Sequence, residues 1–244
     1  MTTTKSFEHS LRTTLVVAIG AGLLLVLLTP LIVNAPPLPI TYFPFVVGKA
    51  LYFRTITEVV FGLWLILAFR FPEYRLPRSW VMITFALFLG ASLISSFAGV
   101  SPTRSLWSTY ERMQGVIDLA HWVVFVMVVA TVLKTFTHWR WLFNANLAVS
   151  LLLALLGILQ AFGVEASYLI SAERVGSSIG NPVYLGAIMV VNVFIACALF
   201  AATFEDRNVP STEQSKPDSM RRRRQKMRPV RMESFTYMVP PVAW

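Results

Sequence analysis

The sequence has very few of the side chains that form disulfides or hold metal ions. One cysteine, Cys197, and three histidines occur in 244 residues. A disulfide within the chain is therefore excluded, and so is a cysteine-based metal site. The chain also has no Walker A motif, no GxSxG elbow and no zinc motif, so nothing in it indicates a metal, a nucleotide or another cofactor.

Charged residues are also scarce. They make up 14% of the chain, against 56% hydrophobic residues, and the mean hydropathy is +0.64. A soluble domain rarely has this composition. Apolar runs of about twenty residues recur between short polar segments, which indicates helices that span a membrane. We therefore predict an all-α, polytopic membrane protein.

The pattern predicts about six transmembrane helices in one domain over residues 1–204. They cover residues 13–33, 45–69, 80–100, 116–133, 141–163 and 182–204. The first run follows Lys5 and Arg12 and could be read as a signal peptide. It is longer than a signal-peptide core, however, so an uncleaved first helix is favoured.

The basic residues are divided unequally between the connecting segments. Sixteen of the 21 lie in the amino-terminal segment, the second and fourth connections and the carboxy-terminal tail. The positive-inside rule makes that side cytoplasmic, with both termini on it. Residues 34–44, 101–115 and 164–181 then face outward.

The composition changes at residue 205. Residues 205–244 are rich in arginine, serine and proline and show no apolar periodicity, so a disordered, basic cytoplasmic tail is predicted. The arginines of 221–231 form either a solvated tail or a contact with anionic lipid. A nucleic-acid partner is not indicated, because the membrane topology accounts for the positive charge.

The remaining five basic residues lie in the outward-facing segments or at the adjacent helix ends. The second, fourth and sixth helices would begin at the outer face, and a helix amino terminus carries partial positive charge. Either nearby acids neutralise these cations, or an anion binds among them. The cations are Lys49, Arg54, Arg104, Arg112 and Arg174, and the nearby acids are Glu58, Glu111, Asp118 and Glu173.

Polar residues also occur within two of the apolar runs. Arg54 and Glu58 are four residues apart, which suits an ion pair along one helix. Gln114, Asp118 and His121 form a polar stripe at the start of the fourth run. The stripe would suit proton transfer or a substrate hydroxyl, and it would equally suit hydrogen bonds between helices. One histidine and one aspartate supply too few ligands for a metal ion.

The sequence GSSIGNPVYLGA, residues 176–187, has a local and a functional interpretation. Asn181 suits an N-cap and Pro182 suits the first position of a helix. The glycines would equally let the backbone approach a phosphate at the mouth of the sixth helix. Both interpretations can hold together.

Three stretches together resemble the amino-terminal half of the O-antigen ligase and O-antigen polymerase superfamily. They are YFPFVVGKALYFRTITEVVFGLWLILAFR, SPTRSLWSTYERMQGVIDLAHW and GSSIGNPVYLGA. Their order and spacing fit over roughly residues 10–204. The resemblance implies a bacterial inner-membrane protein that transfers or polymerises a glycan from an undecaprenyl-diphosphate carrier, at the periplasmic face and without a nucleotide sugar.

The resemblance places the lipid-linked glycan at the polar segment of residues 105–122. It leaves the catalytic residues unassigned. The candidates for binding the diphosphate are Arg54, Arg104, Arg112, Arg174 and Asn181. The supporting polar residues are Lys49, Glu58, Glu111, Gln114, Asp118 and His121.

The chain departs from the family after residue 204. Family members continue through more helices and carry a large periplasmic loop with an arginine and a histidine linked to catalysis, for which no counterpart is assigned here. The expectation is a truncated or split chain, inactive alone, that a partner with the missing helices would complete. A non-catalytic scaffold subunit and a transporter of an anionic lipid are the alternatives.

Overall fold

A computed structural model describes residues 2–33, 43, 45–110, 112–164 and 174–207. Its α-helices are α1 (Thr2–Leu27), α2 (Val47–Arg70), α3 (Trp80–Ala98), α4 (Pro102–Trp107), α5 (Val116–Val132), α6 (Phe136–Ala161) and α7 (Pro182–Arg207). Short 3₁₀ turns occur at Thr29–Leu31, Pro72–Tyr74 and Ser177–Ile179. Of the predicted tail, residues 208–244 lie outside the described part of the chain.

The predicted all-α, multi-pass membrane fold is confirmed. Within the described residues, five helices are long and apolar enough to cross a membrane, and they are α1, α2, α3, α6 and α7. The remaining predicted span, 116–133, corresponds to α5, a shorter apolar helix of 17 residues. At 1.5 Å per residue, α5 is about 25 Å long.

Two helices begin well before the predicted residue, and one predicted loop contains a short helix. α1 begins at Thr2 rather than near residue 13, because the polar segment before it contains no proline or glycine that would stop the helix. α6 begins at Phe136 rather than at 141, since the Thr135 side chain caps it by accepting from the His138 backbone N–H at 3.3 Å. The predicted loop 101–115 contains the short helix α4, which begins with a proline at its first position.

Helices α1 and α2 pack antiparallel. Near the end of α1, the Tyr52 hydroxyl donates to the Leu25 carbonyl at 3.0 Å. Near its beginning, Glu8 pairs with Arg70 at 3.3 Å. The contacts at both ends therefore set the start of each helix beside the finish of the other.

The close approach of α1 and α2 requires a glycine in the last third of α1. A Cβ added to Gly22 would lie 2.2 Å from Cγ2 of Val60. Small residues at such crossings let two membrane helices come into contact along their backbones. Beside this crossing, Ile19, Leu23 and Leu67 are at most 1% exposed and form the centre of the apolar core.

The end of the bundle at which α1 begins, α2 and α5 finish and α6 begins is called the basic end here. Arg12 pairs with Glu73 at 2.9 Å. Lys134, just after α5, donates to the Glu73 carbonyl at 2.6 Å and lies 3.7 Å from the centre of the Tyr74 ring. Partial burial lowers the pKa of Lys134, against the opposing effect of the Glu73 carboxylate. α2 and α5 therefore finish side by side, and the two helices run parallel.

The described residues from Ala196 onward, 196–207, belong to a second unit. Within it, the rings of Phe200 and Phe204 meet edge to face with centroids 4.7 Å apart. The polar contacts described below all belong to the first unit.

Candidate functional site

Arg54 and Asp118 meet at the opposite end, where α2 and α5 begin side by side. The Arg54 side chain is 7% exposed and that of Asp118 is 17% exposed. Nε and Nη2 of Arg54 donate to Oδ1 of Asp118 at 3.2 and 3.1 Å. A buried guanidinium needs such a partner, because leaving it desolvated and unpaired is costly.

The segment between α4 and α5 closes over this ion pair. Its Met113 carbonyl accepts a further hydrogen bond from Nη2 of Arg54. To reach it, the backbone takes positive φ angles of 67° at Ser108 and 51° at Met113. Gly115 lets the segment pass close to α4, since a Cβ there would lie 2.0 Å from the Leu106 carbonyl oxygen. Non-glycine residues in such conformations cost about 1–3 kcal/mol each, which the contact with Arg54 offsets.

Glu58 pairs with His121 of α5, so the predicted ion pair between Arg54 and Glu58 is not formed. Oε1 of Glu58 lies 3.0 Å from Nε2 of His121. Nδ1 of His121 lies 2.7 Å from the Ile117 carbonyl oxygen. Arg54 and Glu58 therefore both take their partners from α5, because the two helices run parallel and the first turns of α5 lie beside this part of α2.

The predicted polar stripe is shorter than expected. Asp118 and His121 belong to α5, whereas Gln114 precedes the helix and is exposed. Nε1 of Trp122 donates to Oδ2 of Asp118 at 3.2 Å, and its ring stacks on Phe53 with centroids 4.3 Å apart. These contacts favour the interpretation in which the stripe forms hydrogen bonds between helices.

Lys49 joins α2 to the segment of residues 176–181. Its Nζ donates to the Ser178 carbonyl at 2.7 Å and lies 5.4 Å from the centre of the Phe45 ring. Ser178 is 1% exposed, and its hydroxyl donates to the Pro30 carbonyl at 3.0 Å. Lys49 is therefore hydrogen-bonded within the protein, to the segment that precedes α7.

Gln160, near the end of α6, organises the turn that precedes α7. Its Oε1 accepts from the backbone N–H groups of Gly176 and Ser177 at 3.1 and 2.8 Å. Ser177 is fully buried with a φ of 52°, and its hydroxyl donates to the Leu153 carbonyl at 2.9 Å. These two amides are occupied by the glutamine, which favours the local interpretation of the turn over a phosphate-binding one.

Asn181 acts as the N-cap that its position indicated. Its Oδ1 accepts from the Val183 backbone N–H at 2.9 Å, just after Pro182 opens α7. An amide in this role satisfies one of the free N–H groups of the first turn. Its Nδ2 group is the remaining donor of the side chain.

Three arginines at the opposite end have no ion pair with any described residue. Arg104 lies in α4, Arg112 in the segment that follows it, and Arg174 two residues before the turn at Gly176, and all three are exposed. This separates the predicted diphosphate candidates into two groups. Arg54 is neutralised inside the bundle, while these three have no ion pair within the described residues. The acids Glu111 and Glu173 lie outside the described residues.

The arrangement offers two kinds of chemistry. The exposed guanidinium groups can each form charge-assisted hydrogen bonds to an anion. The pair formed by Glu58 and His121 can hold or exchange a proton. Across the described ranges, no three histidine, cysteine, aspartate or glutamate side chains lie close enough together to hold a metal ion.

Several polar contacts were not predicted from the sequence. They involve Tyr52, Trp122, Gln160 and the pair formed by Asn146 and Asn192, whose side-chain amides are hydrogen-bonded. The available signal was the presence of a lone amide or hydroxyl inside an apolar run, since such a group needs a partner. The identity of the partner depends on which helices are neighbours.

No protein-family model, no curated protein and no solved structure matches this chain. The functional assignment therefore depends on the residues of the chain itself.

Proposed function

We propose that this chain is a multi-pass protein of the bacterial inner membrane that binds the diphosphate of a lipid-linked glycan at its periplasmic end. The activity in view is that of the O-antigen ligase and polymerase family, which the sequence resembles. One observation supports the site above all others. Arg104, Arg112 and Arg174 are exposed opposite the basic end and lack an ion pair within the described residues.

The positions of these arginines favour an anionic ligand. Arg112 precedes the amino terminus of α5, and Arg174 precedes that of α7. A helix amino terminus is partly positive and repels a nearby cation, whereas a bound anion is stabilised by both. A diphosphate offers several acceptor oxygens to such groups.

Arg54 then has a positioning role. Its hydrogen bond to the Met113 carbonyl holds the backbone next to Arg112. Its charge is already balanced by Asp118 at 3.1 Å, so a ligand gains little from contacting it. We therefore assign diphosphate binding to the three exposed arginines and the placement of one of them to Arg54.

The distribution of positive charge supports the orientation. Basic residues of the amino-terminal segment and of the second and fourth connections belong to the basic end, which is therefore assigned to the cytoplasm. The opposite end, with the three arginines, then faces the periplasm. Both termini are cytoplasmic in this arrangement.

The test is direct binding of undecaprenyl diphosphate to the purified chain in nanodiscs of neutral lipid. Each charge-assisted hydrogen bond contributes about 1.5–3 kcal/mol. Because about 1.4 kcal/mol corresponds to one decade in affinity, Arg112→Ala or Arg174→Ala should weaken binding about tenfold or more. Replacement by lysine should restore part of the affinity, since lysine lacks the bidentate fork.

Arg78→Ala is the matched control. Arg78 is exposed, follows α2 at the basic end and has no ion pair with the described residues. The Arg78→Ala variant should bind undecaprenyl diphosphate with the affinity of the unaltered chain. Undecaprenol, which carries no phosphate, should bind neither protein. Equal affinity of the Arg78→Ala, Arg112→Ala and Arg174→Ala variants would refute the site.

A further inference from the structure

Glu58 is exposed at a depth where a charged carboxylate is costly. It lies eleven residues after Val47, the first residue of α2. At 1.5 Å per residue this is about 16 Å along the helix, near the middle of a hydrocarbon core of about 30 Å. Its side chain is 68% exposed, whereas that of His121 is 15% exposed. The protonation of this pair therefore decides how well α2 is accommodated in the membrane.

Hydrogen-bond chemistry gives the number of protons that the pair holds. A carbonyl oxygen can only accept, so Nδ1 of His121, at 2.7 Å from the Ile117 carbonyl, carries a hydrogen. Nε2 would then be a bare acceptor in a neutral imidazole, and it lies 3.0 Å from Oε1 of Glu58. Two bare acceptors repel each other, so one proton lies between Nε2 and Oε1. The pair is neutral whichever atom holds this proton.

The neighbouring ion pair leaves this balance undisturbed. Arg54, one turn before Glu58, and Asp118, one turn before His121, neutralise each other at 3.1 Å. α3 packs against α5 and contains no ionisable residue, and the half of α1 after Arg12 contains none either. The other described cations of these elements lie toward the starts of the helices: Lys49 is bonded to the Ser178 carbonyl, and Arg104 and Arg112 precede α5. The four side chains together therefore carry no net charge.

We propose that Glu58 and His121 form a proton-binding site within the membrane-spanning part of the chain, with one proton that moves between Nε2 and Oε1. As the N–H bond breaks, the O–H bond forms, and the pair stays neutral. When the proton is on Oε1, Glu58 carries it on the exposed face of α2. The ligand of this site is a proton, and the site does not depend on diphosphate binding at the exposed arginines.

The geometry distinguishes this site from an ordinary surface ion pair. A surface pair loses its proton to water as histidine deprotonates, and a carboxylate remains. Here loss of the proton would leave a net negative charge at the centre of the membrane, and gain of a second would leave a positive one. The neutral pair is therefore the form that the membrane favours.

The first test is nitrogen NMR of the full chain in nanodiscs, with ¹⁵N-labelled histidine. The unaltered chain should show His121 with a protonated Nδ1 and a shared proton at Nε2. In Glu58→Gln the amide donates to Nε2, which should then give the signal of an unprotonated nitrogen. An unprotonated Nε2 in the unaltered chain would overturn the proposal, as would identical spectra for both proteins.

The second test detects the proton on Glu58. Dicyclohexylcarbodiimide enters the apolar phase and adds to a protonated carboxyl group to give a stable N-acylurea. At about pH 8, where exposed glutamates with a pKa of about 4.3 are ionised, mass spectrometry should find the label on Glu58. Glu8 and Glu73, which are exposed in ion pairs at the basic end, should remain unlabelled. Absence of label from Glu58 under these conditions would overturn the proposal.

Discussion

The ion pair between Arg54 and Asp118 predicts a strong energetic coupling between the starts of α2 and α5. The perturbation is a double-mutant cycle with Arg54→Met, Asp118→Leu and the double variant. Removing one partner leaves the other buried and unpaired, which costs about 3–5 kcal/mol. Each single variant should therefore lower the free energy of unfolding by an amount of that size.

The double variant should be less destabilised than the sum of the two single ones. It contains no unpaired charge, and replacement of a buried ion pair by apolar residues is often neutral or stabilising. Two polar groups nevertheless lose a partner, the Met113 carbonyl and Nε1 of Trp122. A buried group without its hydrogen bond costs about 1–3 kcal/mol. We expect a coupling energy of at least about 2 kcal/mol, near the upper part of the range found for residues in contact.

The assay is reversible unfolding in mixed detergent micelles, followed by tryptophan fluorescence and circular dichroism. Arg112→Met is the matched control, because Arg112 is exposed and forms no ion pair with the described residues. Its effect should stay within about 0.5 kcal/mol, as for most surface substitutions. If Arg54→Met is as mild as this control, or if the two single effects simply add up, the pair does not hold α2 and α5 together.

Three further predictions concern packing, backbone strain and orientation. Gly22→Ala should destabilise the chain, because its Cβ would lie 2.2 Å from Val60. Gly20→Ala should not, because a Cβ there has nothing within 4 Å. Val60→Ala should restore the stability lost in Gly22→Ala, measured in the same unfolding assay. Ser108→Gly should raise the free energy of unfolding by about 1 kcal/mol, since glycine tolerates the φ of 67°, and an unchanged or lower value would contradict the assigned strain. Reporter fusions after residues 75 and 140 should report cytoplasm and a fusion at 108 should report periplasm, and the reverse result at 108 would remove the basis for a periplasmic site.

The helices could be predicted from the sequence because their signal is local. An apolar run of about twenty residues is long enough to cross a membrane whatever lies beside it. The boundaries were harder to predict, since the start of α6 depends on the cap formed by Thr135, and the start of α1 on a polar segment that remains helical. Both details depend on hydrogen bonds or propensities that are weak beside the hydropathy signal.

The partners within the candidate site could not be predicted because they depend on which helices are neighbours. Spacing along α2 favoured a pair between Arg54 and Glu58, but each turns to a residue of α5 instead. That exchange requires α2 and α5 to run parallel, with the first turns of α5 beside Arg54 and Glu58. Lys49 is a similar case, because its partner, the Ser178 carbonyl, is 129 residues away in the sequence.

The short length of α5 has a consequence for the lipid around it. A helix of about 25 Å is shorter than a hydrocarbon core of about 30 Å, and such a hydrophobic mismatch is relieved by local thinning of the bilayer. Lys134 holds the finish of α5 to the Glu73 carbonyl, so the shortfall lies mainly at its start. The headgroup layer should therefore dip toward Asp118 and Arg112. Under the proposed function, the phosphates of a lipid carrier in this thinned region would lie deeper than in a flat membrane. Its headgroup would therefore be closer to the three exposed arginines before it binds.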